Sequence, residues 1–344
     1  MINLRNDYSE ICDPSILDAL KRYAYEPNDG YGNDSHSIKA ANIIKERLCD
    51  KDCDVHFLIN GTGTNKTVLA HILLPYQAVI ACRSGHVSVH ETGAIESTGH
   101  KVLTCEGVDG KVTVSEIEAI VKEHNNEHMV MPKAVYISDA TEIGTIYTLD
   151  ELKSLHEACQ RLGLYLYMDG ARLGVALTCR QNDIKWRDLT RYLDVFCIGG
   201  TKNGALMGEA VVICNESLKH DFRYSIKANG SMYAKGFVAG IEFTELFTHG
   251  RYTRLASHAN AMADILRQAF IENGIPVAYQ SVTNQLFPVF CHADIEKLKK
   301  DIIFEEMGPS DHDHETVRFV TSWATKKSDM DKCAAVLKDI MQGK

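Results

Sequence analysis

The chain has 344 residues, roughly twice a typical single domain, so it can bury a large core and divide into a larger and a smaller unit, which argues against a simple binding module. Its 46 acidic and 37 basic residues give a net charge of −9 with no basic cluster, which argues against a nucleic-acid partner. Apolar runs fall far short of the ~20 residues that cross a bilayer, and the 11 cysteines follow no secretory leader and no repeating Cys-x-x-Cys frame, so free thiols in a cytoplasmic protein are expected.

In chain order, a helix is expected over 36–49, then an apolar run Val55–Ile59, then the turn Asn60-Gly-Thr-Gly-Thr-Asn65 opening a helix over 63–73. A strand follows at 78–82 and a helix at 115–124, where Ser115 and Glu118 have capping-box spacing. A strand at 133–138 leads to a helix over 150–162, with Asp150 ahead of Leu152, Leu155, Ala158 and Leu162 and with Gly163 as its stop. Strands at 164–168, 194–198 and 209–214 complete an alternation that implies an α/β fold built on a mainly parallel sheet. Helices at 234–248 and 252–272, then strands at 285–291 and 316–322, suggest a smaller C-terminal α+β domain. The expected division is 1–248, an N-terminal arm with the large domain, and 249–344, the small domain.

Two strand ends carry the chemistry. The run Leu164–Met168 delivers Asp169-Gly-Ala-Arg172, and the run Asp194–Ile198 delivers Gly-Gly-Thr-Lys202-Asn-Gly. A lysine and an aspartate so placed suit pyridoxal 5'-phosphate, the amine forming a Schiff base with the aldehyde and the carboxylate keeping the pyridine nitrogen protonated. Gly61 and Thr62 lie where exposed N–H groups at a helix start cradle a phosphate, or else form a plain strand-to-helix turn. The Gly-x-Gly-x-x-Gly spacing is absent, because Lys66 stands where the third glycine would be. His86 is either a ring stacked on a flat cofactor or a loop histidine. Arg318, inside an apolar strand, is either one half of a structural ion pair or a clamp for a substrate carboxylate. His86 with His90, and Asp311-His-Asp-His-Glu315, lack the further ligands of a metal site, so no metal is expected.

Taken together, Asn6-Asp7-Tyr8, Gly30–Asp34, Asn60–Asn65, Gly85-His86 with His90–Gly93, Ser138–Thr145, Met168–Leu173, Gly199–Gly204 and Val317–Thr321 resemble the low-specificity L-threonine aldolases, in order from near residue 3 to the C-terminus. The resemblance implies a pyridoxal-phosphate enzyme of the aspartate-aminotransferase fold. It would be a homodimer or homotetramer with active sites shared between subunits, cleaving L-threonine or L-allo-threonine to glycine and acetaldehyde. It also implies roles: Lys202 as Schiff-base lysine, Asp169 as pyridinium partner, His86 as stacking ring, and Gly61, Thr62, Thr141 and Thr201 as cofactor contacts. Arg172 and Arg318 would grip the carboxylate, with Asn6 nearby, where many relatives have Ser. Lys235 would reach the cofactor phosphate from a neighbouring subunit. Tyr31, His90 and Trp323 are candidates for the pocket around the β-substituent, and His86, His90 or a water held by either for the base. Many relatives carry Thr-His-Asn where this chain has Asp139-Ala-Thr141, so a histidine is missing there. The alternatives are a phenylserine aldolase, a β-eliminating lyase, or a non-enzymatic nucleotide-binding α/β protein.

Overall fold

The structure, a computed structural model, describes residues 1–343. The chain opens with a short strand, β1 (Ile2–Asn3). It then builds a seven-stranded sheet from β2 (Asp54–Leu58), β3 (Gln77–Cys82), β4 (Lys101–Cys105), β5 (Met131–Ser138), β6 (Tyr165–Asp169), β7 (Val195–Gly199) and β8 (Glu209–Ile213), in the order β2-β8-β7-β6-β5-β3-β4. All neighbours from β4 to β7 pair in parallel, while β8 runs antiparallel to both β7 and β2. Strands β3, β7 and β8 are buried along their whole length, which is why they read as unbroken apolar runs rather than alternating ones. Edge strand β4 is buried only at Leu103 and Cys105, so it presents no continuous apolar run. Core clusters pack on both sheet faces, one around Ile80, Ile137, Phe196 and Phe243, the other around Val79, Tyr136, Tyr167 and Phe222.

Helix starts differ from the expected ones by one to three residues, and several have a local cause. The capping boxes are Thr113 with Glu116 and Thr148 with Glu151, not Ser115 with Glu118 and not an Asp150 start. In both, the hydroxyl lies one turn before the acid that reaches back to its N–H, and each pair is displaced by two residues from the residue first chosen. Gly163 closes its helix in the left-handed conformation, φ 67°. The helix after β2 begins already at Gly61, because Asn60 caps it by accepting from the Gly63 N–H at 2.7 Å.

The C-terminal segment forms a second sheet from β9 (Gln285–Leu286), β10 (Val289–Cys291), β12 (Glu305–Pro309) and β13 (His314–Val320), with β11 (Ile302–Ile303) beside it. The run 285–291 is two strands rather than one, broken at Phe287-Pro288, where proline has no N–H to give a ladder. β1 pairs in parallel with β11, and Leu4 is fully buried among Phe304, Phe319 and Leu337. The first residues of the arm therefore belong to the C-terminal core, a long-range pairing that no local pattern announces. The helix Arg251–Glu272 spans both cores, with Tyr252 in the sheet core and Met262, Leu266 and Phe270 in the C-terminal one. No helix among the described residues is long and apolar enough to cross a membrane.

Candidate active site

A cleft of about 490 Å³ opens where the C-terminal ends of β2, β3, β5, β6 and β7 face residues of β12 and β13. Crevices at the carboxyl ends of parallel strands are where open α/β sheets bind ligands. Asn60, Gly61 and Thr62 enter it from β2, His86 and His90 from β3, Glu142 from β5, Asp169 and Arg172 from β6, and Thr201 and Lys202 from β7. Glu305, Met307 and Arg318 close the far side, and Tyr8 of the arm joins them.

Two glycines bring the β6 and β7 ends together. A Cβ on Gly170 would lie 2.0 Å from the Cys197 carbonyl oxygen, and one on Gly199 would lie 2.2 Å from that of Ala171. Only bare backbones can pass so closely, and the Gly199 N–H donates to the Gly170 carbonyl at 2.9 Å. Asp169 and the Lys202 turn thus share one cleft, while Thr201 Oγ1 accepts from the Gly208 N–H at 3.0 Å and pins that turn.

Asp169 is buried, and its carboxylate is well supplied with donors. Oδ2 accepts from Asn65 Nδ2 at 2.9 Å and the Tyr136 hydroxyl at 2.8 Å, and Oδ1 from the Ala171 N–H at 2.9 Å. Burial pushes its pKa up, but the Asn65 bond, the His86 charge, the Tyr136 bond and the Lys202 charge outweigh this and hold it below the usual carboxylate range. The group is a fixed anion at neutral pH. Glu209, the first residue of β8, also lines the cleft, with one carboxylate oxygen accepting from the Gly200 N–H at 2.9 Å. Burial pushes it up to about 7.

His86 heads a second network. Its Nδ1 lies 2.7 Å from Glu91 Oε1, and the same oxygen accepts from Asn65 Nδ2 at 2.6 Å. Tyr167 in turn donates to Asn65 Oδ1 at 2.6 Å. Burial works against a charged His86, yet the Glu91 bond and the charges of Glu142 and Asp169 raise its pKa above the ordinary histidine value.

Buried anion, lysine and helix start at one cleft agree with the chain's relatives. The sequence model of the beta-eliminating lyases matches residues 11–293. A low specificity L-threonine aldolase of a Pseudomonas species is 32% identical, over 98% of this chain and 96% of that protein. A threonine aldolase structure from Leishmania major superposes with a TM-score of 0.98 at 43% identity, covering 99% of this chain and 100% of that one. This chain belongs to the threonine aldolase family of beta-eliminating lyases. An aspartate aminotransferase from Thermus thermophilus, TM-score 0.72 at 13% identity, shares the fold alone.

Of the residues that the family resemblance singles out, the cleft gathers Gly61, Thr62, His86, His90, Asp169, Arg172, Thr201, Lys202 and Arg318. Five others lie elsewhere. Asn6 is not among the lining residues; its side-chain oxygen accepts from the Tyr8 N–H and Ser9 Oγ, at 3.0 and 2.9 Å, which turns Tyr8 to the cleft instead. Thr141 is buried, accepting from the Thr145 N–H at 3.1 Å, and its neighbour Glu142 takes the cleft position. Tyr31 lines a separate pocket with Ile38, His56 and Arg223. Lys235 is exposed and outside the cleft of its own chain. Trp323 is also absent from the lining, and Glu305 and Met307 stand there instead.

Both arginines already have partners. Arg172 is buried and donates twice to Asp7, Nε at 2.7 Å and Nη2 at 3.1 Å, so much of its fork is committed to the arm. Arg318 Nη2 donates to Glu305, its register partner across β12 and β13, while its Nε is buried with no partner. The structural ion pair weighed for Arg318 is thus present, beside an unused donor. Asn65, Glu91, Tyr136, Glu142 and Glu209 were assigned no role from sequence. Asn65, Glu91 and Glu142 sit inside the Asn60–Asn65, His90–Gly93 and Ser138–Thr145 motifs, but only the fold shows that Asn65 meets Asp169 and that Glu91 meets His86.

Proposed function

We propose that this chain is a pyridoxal-phosphate-dependent aldolase that cleaves the Cα–Cβ bond of L-threonine or L-allo-threonine, giving glycine and acetaldehyde. The observation that carries the reading is the fully hydrogen-bonded Asp169 anion sharing a cleft with Lys202 and the start of the Gly61–Ile72 helix. The residues present fit the cofactor. A Cβ at Gly61 would meet nothing within 4 Å, so the backbone there is open to close approach by a phosphate. When bound, the cofactor supplies an electron-accepting ring for the electrons of the broken bond. Lys202 provides the amine that holds its aldehyde, Asp169 the charge that keeps its ring nitrogen protonated, and His86 a flat surface for its face.

Arg318, which lines the far side of the cleft, receives the substrate carboxylate, and Arg172, held rigid by Asp7, supports the same end. Carboxylate grip at one end and amine attachment at the other orient the bond to be broken. Lys235 serves the phosphate of a second subunit in a homodimer or homotetramer. Residues 249–344, joined by the first residues of the arm, act as the small domain, and the rest of 1–248 as the large one. The 11 cysteines, all free, support a cytoplasmic setting.

Two measurements test the reading. Borohydride treatment of cofactor-loaded protein should fix the label on Lys202, and L-threonine or L-allo-threonine should yield glycine and acetaldehyde in equal amounts. Pyruvate and ammonia in their place would make the enzyme a β-eliminating lyase, and no Lys202 adduct would end the cofactor reading.

A further inference from the structure

Glu91 does not itself line the cleft, yet it occupies one of the most restricted positions beside it. Its side chain is 0% exposed. Oε1 takes both available donors, His86 Nδ1 and Asn65 Nδ2, and Oε2 is buried with no partner at all. Among the described residues its charged neighbour within 4 Å is His86, and no lysine or arginine pairs with it. A buried carboxylate left half unsatisfied costs stability, so its retention calls for a use.

We propose that Glu91 is a positioning residue that fixes the proton of His86 on Nδ1, leaving Nε2 toward the cleft as the atom that takes the β-hydroxyl proton of the substrate. The inference rests on the aldolase reading and deepens it by choosing among the candidate bases. A carboxylate on one ring nitrogen sets the tautomer and orientation of the other and offsets the charge that forms when the other accepts a proton. The groups facing His86 act in the same sense: Glu91, Glu142 and Asp169 raise its basicity against the effect of burial, and the uncommitted ring of His90 lies 5.5 Å away, centroid to centroid. His90 itself is exposed at the cleft mouth and has no comparable partner to fix its orientation. In the step, the substrate O–H bond breaks and its proton lands on Nε2. The oxygen keeps the electron pair, which becomes the second C–O bond of the aldehyde as the Cα–Cβ pair departs with Cα. Through Asn65, which bonds Glu91 and Asp169 at once, the base and the pyridinium partner are held in one rigid frame.

Nitrogen-15 NMR of the cofactor-free protein tests this without any turnover. Wild-type His86 should carry hydrogen on Nδ1 and a bare Nε2 above its titration midpoint, and Glu91→Gln should lower that midpoint by about one pH unit or more. In cofactor-loaded enzyme, the acidic limb of kcat/KM should move to lower pH with the same variant and kcat should fall about 100-fold, with Glu91→Asp restoring part of both. An Nε2–H tautomer in the wild type, an unmoved midpoint in Glu91→Gln, or an acidic limb that follows His90→Gln and not Glu91→Gln overturns the proposal. Because the tautomer is read in unmutated, cofactor-free protein, a variant that fails to fold leaves that arm intact. A missing Lys202 adduct beside the expected His86 titration would instead defeat the cofactor reading alone.

Discussion

At the scale of single residues, the cleft separates fixed charge from adjustable charge. Asp169 is held ionised by three hydrogen-bond donors, so Asp169→Asn, which keeps the shape but removes the charge, should cut turnover roughly 10²–10³-fold. Acetaldehyde release with cofactor in excess measures this, and near wild-type turnover would show that the ring needs no anion there. Arg318 lines the far side of the cleft, so Arg318→Leu should raise KM for L-threonine about 10–100-fold, the loss expected for hydrogen bonds to a charged group. A KM that stays put would assign the carboxylate to Arg172 alone. Lys202 and Asp169 were legible in sequence because each stands just past a buried apolar run, and strand ends are where such sheets do chemistry. Glu91 and Asn65 were not. Glu91 lies five residues from His86, but Asn65, which ties it to Asp169, is 26 positions from Glu91 and 104 from Asp169.

At the scale of elements, termini and crossings carry the specificity. Thr148 accepts from the Glu151 N–H at 3.2 Å while Glu151 reaches back to the Thr148 N–H at 2.8 Å, so Thr148→Ala should cost about 1 kcal/mol in urea unfolding. Ser154→Ala, in the same helix but past its first turn, serves as the control and should cost less. Gly199→Ala should do more than lower stability. Its Cβ would collide with backbone at Ala171, forcing apart the two turns that carry Asp169 and Lys202. Such a variant should bind cofactor weakly even where it stays folded, as visible absorbance after gel filtration would reveal. Central strands and most long helices were placed within a few residues, because burial on both faces or on one stripe leaves a local imprint, although the helix Lys327–Met341 was not expected. Short strands β1, β11 and β12 left none: β1 and β11, two residues each, exist only through each other at opposite ends of the chain, and β12 is a mostly exposed strand that forms by pairing with β13.

At the scale of the whole molecule, buried acids set how stability varies with pH. Glu242 is fully buried, with Oε2 accepting from the Leu206 and Met207 N–H groups at 3.0 and 3.3 Å, and burial pushes it from 4.5 up to about 7. A carboxyl whose folded pKa is raised favours the fold below the unfolded value and loses that contribution as pH climbs through the folded one. Stability should therefore fall between pH 4.5 and about 7, and Glu242→Gln should flatten that fall. Relative to wild type, the variant should gain about 3 kcal/mol between the two ends of this range, seen as thermal midpoints that diverge with rising pH. Parallel slopes would mean that Glu242 titrates normally. Sequence by itself determined the alternation of strands and helices, the sheet that follows from it, and the two strand-end motifs, since each rests on local period or on a short run of residue types. Only tertiary structure decided that β1 and Leu4 join the C-terminal core, that Asp7 holds Arg172, and that Asn65 meets Asp169. Those are contacts between segments far apart in the chain, and their formation depends on which buried surfaces and charges find each other on folding, something no window of neighbouring residues records.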